Sequence, residues 1–101
     1  MRAAAALADP TRRQILELLG SNELDAGFIA SRFAISRPGV SRHLRVLRES
    51  GLVRVRRQGQ RRLYSLDPAP LAELDTWLER YRKFWTNRLD ALDTELRRGQ
   101  Q

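Results

Sequence analysis

At 101 residues the chain has room for one compact domain and not two, and its 42% apolar content is enough to build a core. The absence of cysteine excludes a disulfide framework, a thiol nucleophile and a thiolate metal site. No apolar run reaches membrane-spanning length, and the stretch from Ala3 to Ala8 is too short for a signal peptide, so a soluble, cytoplasmic protein without a membrane partner is expected.

The formal charge of +7 is concentrated rather than spread. Between residues 31 and 62 ten arginines stand against a single acid, Glu49, while the segments on either side each carry a net charge of −1. Arginine as a general surface residue explains the scarcity of lysine but not the missing acids. The pattern reads as a footprint for a polyanion.

In chain order, a short helical stretch precedes Leu7, and Asp9-Pro10-Thr11 starts a helix: aspartate caps, and proline suits the first helical position. Ile15, Leu16, Leu18 and Leu19 supply its buried face, and Gly20 stops it. A short helix follows from about Asp25, with Ile29 and Phe33 on its inner side; Gly27 costs it roughly 1 kcal/mol relative to alanine. Phe28 has no evident packing role. Ala34-Ile35 forms a tight connection, after which Ser36 caps a stronger helix with Pro38 in its first turn. There Val40, Leu44 and Leu47 recur at i, i+4 and i+7 and must face inward, leaving Arg37, Ser41, Arg45 and Arg48 along another side, flanked by Pro38 and Arg42. Gly51 ends this helix.

The period then changes from helix to strand. Val53 and Val55 alternate with Arg54 and Arg56, Gln58-Gly59-Gln60 makes a hairpin turn, and Arg62, Tyr64 and Leu66 form the return strand. Asp67-Pro68-Ala69-Pro70 closes the hairpin and opens a last helix from about Leu71 to Arg97, roughly 40 Å long at 1.5 Å per residue. The expected fold is mainly α, an α+β winged helix of order α-α-α-α-β-β-α. It forms a single domain over residues 1–101, with a DNA-binding core at about 9–66 and a dimerisation helix at 68–98.

A short helix, a tight turn and a polar-faced helix make a helix-turn-helix, whose second helix enters the DNA major groove with its N-terminal residues leading. Those residues are Arg37, Pro38, Ser41 and Arg42. Arginine bonds guanine O6 and N7 bidentately, serine donates or accepts, and proline offers an apolar contact to a thymine methyl. Ser36, His43, Arg45, Arg54, Arg56, Arg57, Arg61 and Arg62 are the expected contacts to the DNA backbone. Five hairpin arginines repel each other unless an anion is bound, although charge also protects a free sheet edge. His43 is the only histidine and has no partner ligands in the pattern, so it is read as a scaffold or phosphate-contacting residue.

The last helix carries Leu71, Leu74, Leu78, Tyr81 and Trp85 at spacings of three and four, then Leu92 and Leu96, with Trp77, Phe84 and Leu89 widening the stripe. A domain this small cannot cover so long a face, so Leu71, Leu74, Leu78, Tyr81, Trp85 and Leu92 are assigned to a dimer seam. Two other uses stay open: packing against the chain's own domain, and a small-molecule or partner site at Trp77, Tyr81 and Trp85, which would make the protein a ligand-responsive sensor. A nonspecific nucleic-acid binder is a further alternative. There is no phosphate-binding glycine loop, no nucleophile–base pair and no paired carboxylates, so no enzyme and no cofactor is expected.

The segment from Leu7 to Leu19, the segment Ile35-Ser36-Arg37-Pro38-Gly39-Val40-Ser41-Arg42-His43-Leu44-Arg45-Val46-Leu47, Gly51-Leu52-Val53 and the hairpin ending Leu63-Tyr64-Ser65-Leu66 together resemble ArsR/SmtB-type winged-helix repressors over nearly the whole chain. The resemblance implies a homodimer on an inverted-repeat operator of double-stranded DNA, usually blocking its own promoter, with Arg37, Pro38, Ser41 and Arg42 at base-reading positions. It also implies a first helix shortened before Leu7. Many members sense metals through a Cys-x-Cys before the recognition helix, where this chain has Asp25-Ala26-Gly27; others use Asp and His from the last helix, which here has no histidine. With one histidine and no cysteine, the chain resembles the branch without metal sensing.

Overall fold

The computed structural model describes residues 2–99. Helix α1 (Arg2–Ala6) is followed by α2 (Pro10–Leu19), strand β1 (Leu24–Asp25), α3 (Ala26–Ser31), α4 (Arg37–Glu49), β2 (Val53–Gln58), β3 (Arg61–Leu66) and α5 (Pro68–Gly99). The chain divides into two compact units after Leu71, and the described residues of the second unit, from Ala72 to Gly99, are all helical.

The termini of the helices follow from local chemistry. Asp9 Oδ1 accepts from the backbone N–H groups of Thr11 (2.8 Å) and Arg12 (3.1 Å), capping α2 with Pro10 in its first turn. These bonds, the one from Arg12 first, hold the Asp9 carboxyl below the usual carboxylate range. Ser36 Oγ accepts from Gly39 N at 3.2 Å and caps α4. That helix stops in a Schellman arrangement: Gly51, at φ +80°, donates to Arg48 O, and Leu52 donates to Leu47 O, both at 3.0 Å. Leu52, the next residue in, is fully buried.

The core of the first unit collects Ile15, Leu16 and Leu19 from α2, Ile29 from α3, Val40, Leu44 and Leu47 from α4, and Leu52, Val53 and Tyr64 around the sheet. Burying each large aliphatic side chain contributes about 1.5–3 kcal/mol. Leu18 and Phe33, expected inside, are half-buried at the edge of this cluster, and Phe33 lies past the end of α3.

The sheet differs from the expected hairpin by one strand. Its order is β1-β3-β2, all antiparallel, with Leu24 opposite Tyr64 and Asp25 opposite Leu63. Between β2 and β3 the register runs from Val53↔Leu66 to Gln58↔Arg61, leaving Gly59-Gln60 as a two-residue turn. Gly59 sits at φ +63°, as the first position of a type II′ turn requires. Alternation puts Val53, Val55, Arg57, Arg62, Tyr64 and Leu66 on one face and Arg54, Arg56, Arg61 and Leu63 on the other.

α5 begins at Pro68 rather than near Leu71. Pro68 is preorganised for a first helical turn, and Asp67 Oδ1 accepts from Ala69 N at 3.1 Å. None of the helix's described residues is buried.

Candidate nucleic-acid interface

Helix α4 separates its two faces cleanly. Val40, Leu44 and Leu47 are at most 2% exposed, while Arg37, Pro38, Ser41, Arg42, Arg45 and Arg48 are all exposed. The cap at Ser36 and the buried stripe fix the rotation of the helix, so the side chains expected to read bases stand together at its N-terminal half. Ser36 accepts one bond at its oxygen as the helix cap and still has its hydroxyl hydrogen to donate to another partner. Gly27 lies beside this group: a Cβ there would stand 3.5 Å from Arg37 Nη2 and 3.3 Å from Asp25 Oδ2. The tighter of the two contacts is with the Asp25 carboxylate, which would have to give by a few tenths of an ångström, while the contact with Arg37 would be ordinary van der Waals packing.

His43 is half-buried on the same helix, with Nδ1 3.4 Å from Arg12 Nη1. Arg12 Nε also donates to Ala6 O at 2.6 Å, tying α1, α2 and α4 together through one guanidinium. The sequence pattern gave Arg12 no such role.

The hairpin arginines fall into two groups. Arg56 donates through Nε and Nη2 to the two carboxylate oxygens of Glu23, at 2.7 and 2.5 Å, and Arg54 Nη2 donates to Asp67 Oδ1 at 3.1 Å. Arg56 holds the Glu23 carboxyl below the usual carboxylate range, and Arg54 does the same to Asp67. With these carboxyls depressed, each pair is intact above the carboxylate range and is lost as pH falls through it. Arg54 and Arg56, expected on the DNA backbone, therefore have carboxylate partners inside the domain. Arg57, Arg61 and Arg62 are exposed and form no ion pair among the described residues.

The architecture is a helix-turn-helix made by α3 and α4, followed directly by a basic two-stranded wing. A helix-turn-helix domain model matches residues 7–56. Over 88 residues, 87% of this chain and 79% of the relative, the sequence is 50% identical to the HTH-type transcriptional regulator Rv2034 of Mycobacterium tuberculosis. The transcriptional repressor SdpR of Bacillus subtilis is 41% identical over 72% of this chain and 81% of its own length. An ArsR-like transcriptional regulator from Rhodococcus superposes with a TM-score of 0.75 at 35% identity, over 90% of this chain and 86% of that one. A homodimeric winged helix-turn-helix DNA-binding domain from Mycobacterium bovis gives 0.65 at 32% identity, over 81% and 76%.

The chain belongs to the ArsR family of winged helix-turn-helix transcriptional regulators.

In this family member, no helix among the described residues is long and apolar enough to cross a membrane. Its second unit displays a continuous apolar face. Leu78, Tyr81, Trp85, Leu89, Leu92 and Leu96 are 40–61% exposed. Trp77 stacks on Tyr81 with ring centroids 5.1 Å apart and an interplanar angle of 15°, and Tyr81, Phe84 and Trp85 touch one another at 5.9–6.4 Å. Leu74 is half-buried, and Leu71, within the first unit, packs against that unit's core.

Proposed function

We propose that this ArsR-family regulator is a homodimeric repressor that reads an inverted-repeat operator through α4, grips DNA phosphate through its wing, and joins its partner copy along α5. The observation that carries this reading is the division of α4 into a buried aliphatic stripe and an exposed row of Arg37, Pro38, Ser41 and Arg42. The apolar face of α5 supports the dimer. Exposed patches of that extent on a helix mark an association surface, and Tyr81 and Trp85 are residue types enriched in interfaces. A second copy provides a matching face by two-fold symmetry, which also matches a palindromic site. The repressor named above and the homodimeric Mycobacterium bovis domain are in line with both parts. Leu74, Leu78, Tyr81, Trp85 and Leu92 form the proposed seam, while Leu71 is already committed to the core of its own unit.

Regulation is proposed to be independent of metals. A transition-metal site takes three or four nitrogen, sulfur or oxygen donors, usually rich in His or Cys, and this chain offers one histidine and no cysteine. Zinc, cadmium or arsenite at micromolar concentration is expected to leave a protein–operator complex intact in a gel-shift titration. Reversible release without aggregation would show a metal-responsive repressor instead. The aromatic cluster at Trp77, Tyr81, Phe84 and Trp85 favours one second reading, an aromatic effector that binds there. Release of the operator by aromatic compounds in the same titration would establish it.

A further inference from the structure

The two wing strands bring Arg57 and Arg62 directly opposite each other on one face of the sheet. Like charges in that position destabilise a strand pair. Arg48, in the last turn of α4, completes the group: Arg48, Val55, Arg56, Arg57 and Arg62 line one small concavity of about 130 Å³. Arg56 is turned to Glu23, leaving three arginines without an ion pair among the described residues. The helix dipole accounts for a cation at the C-terminal turn of α4. It does not account for two more cations facing each other across the hairpin beside it. A concavity of this size has room for one tetrahedral oxyanion. Guanidinium groups meet phosphate oxygens through paired N–H donors, which makes arginine the fitting residue for such a site.

We propose that Arg48, Arg57 and Arg62 form a single phosphate clamp joining the recognition helix to the wing, and that its occupant is one phosphate of the DNA backbone. This rests on the DNA-binding reading above and adds to it that three arginines share one phosphate. The clamp would set the angle between wing and recognition helix only when DNA is bound. It brings in Arg48, a residue not among the expected DNA contacts.

The test uses the full chain, wild type and the triple variant Arg48→Gln/Arg57→Gln/Arg62→Gln, on duplex DNA at several salt concentrations. If one phosphate is shared, the slope of log K against log salt becomes shallower by about 0.9 in the triple variant. Three separate phosphate contacts would give about 2.7. A loss near that larger value overturns the clamp while leaving DNA binding standing; a wild type that binds no duplex overturns the DNA reading itself. A second arm uses inorganic phosphate and pyrophosphate with protein alone at low salt. Stabilisation of wild type but not of the triple variant, with the salt slope on duplex unchanged, would overturn the backbone phosphate as occupant and make the site one for a free anion. The triple variant without anion should unfold at or above the wild-type temperature, because cross-strand repulsion has been removed. A clearly lower midpoint would mean that the arginines are structural, which also overturns the clamp.

Discussion

Replacing both Tyr81 and Trp85 with aspartate is expected to give monomers that bind an operator about 10²–10⁴-fold more weakly than wild type. The two side chains stand one helical turn apart on the exposed face of α5, their rings 6.0 Å from each other and each close to half exposed. In a symmetric seam each meets its counterpart or a neighbour, so the double change puts four carboxylates into an apolar contact, where unpaired charge is strongly disfavoured. The loss on DNA follows from linkage: two joined recognition helices bind the second half-site intramolecularly, and separate ones do not. None of the described residues of the second unit is buried, so the core around Ile15, Leu44 and Leu47 is untouched and the helical circular dichroism should persist. Light scattering that shows an unaltered dimer would place the seam elsewhere.

Arg42→Ala is expected to cost about 1–3 kcal/mol on the operator and far less on scrambled duplex. Arg42 stands on the solvent side of α4, with the opposite side committed to the core by Val40, Leu44 and Leu47, so the helix cannot turn to hide the loss. Arg61 provides the contrast. It sits beside the turn at the wing tip, opposite Gln58, where a phosphate can be met with little geometric demand. Arg61→Ala should weaken both duplexes equally and make the salt slope shallower by about 0.9. If Arg42→Ala loses affinity equally on both duplexes and Arg61→Ala only on the operator, the roles of reader and grip are reversed.

The features legible in the sequence are those whose physics is local. Ser36 and Asp9 cap helices because a short side chain can reach N–H groups two or three residues on, and Gly51 and Gly59 mark positive φ. The stripe Val40, Leu44, Leu47 specifies the buried side of α4, and therefore its exposed side, from spacing alone. Strand β1 was not legible: two residues cannot display alternation, and Leu24-Asp25 is a strand only because Leu63 and Tyr64 pair with it. The ion pairs of the wing were hidden for the same reason. Glu23 lies 33 residues before Arg56, and nothing in the local pattern separates Arg56 from Arg57. Their alternation onto opposite faces of the sheet does so, turning one toward a carboxylate and the other toward Arg48 and Arg62. Phe28 remains half exposed, with the Arg32 guanidinium 6.0 Å from its ring centroid, and the structure gives it no further explanation.

Two copies of α4 are proposed to read two related half-sites. Selection of bound sequences from a pool of random duplexes tests it most directly, because it presupposes neither operator nor effector. The expected result is enrichment of an inverted repeat whose half-site centres lie about 34 Å apart, one helical turn, or a multiple of it. The Arg42→Ala variant should lose preference at specific bases within each half-site. Recovery of no motif, with all duplexes bound alike, would make the protein a nonspecific nucleic-acid binder instead.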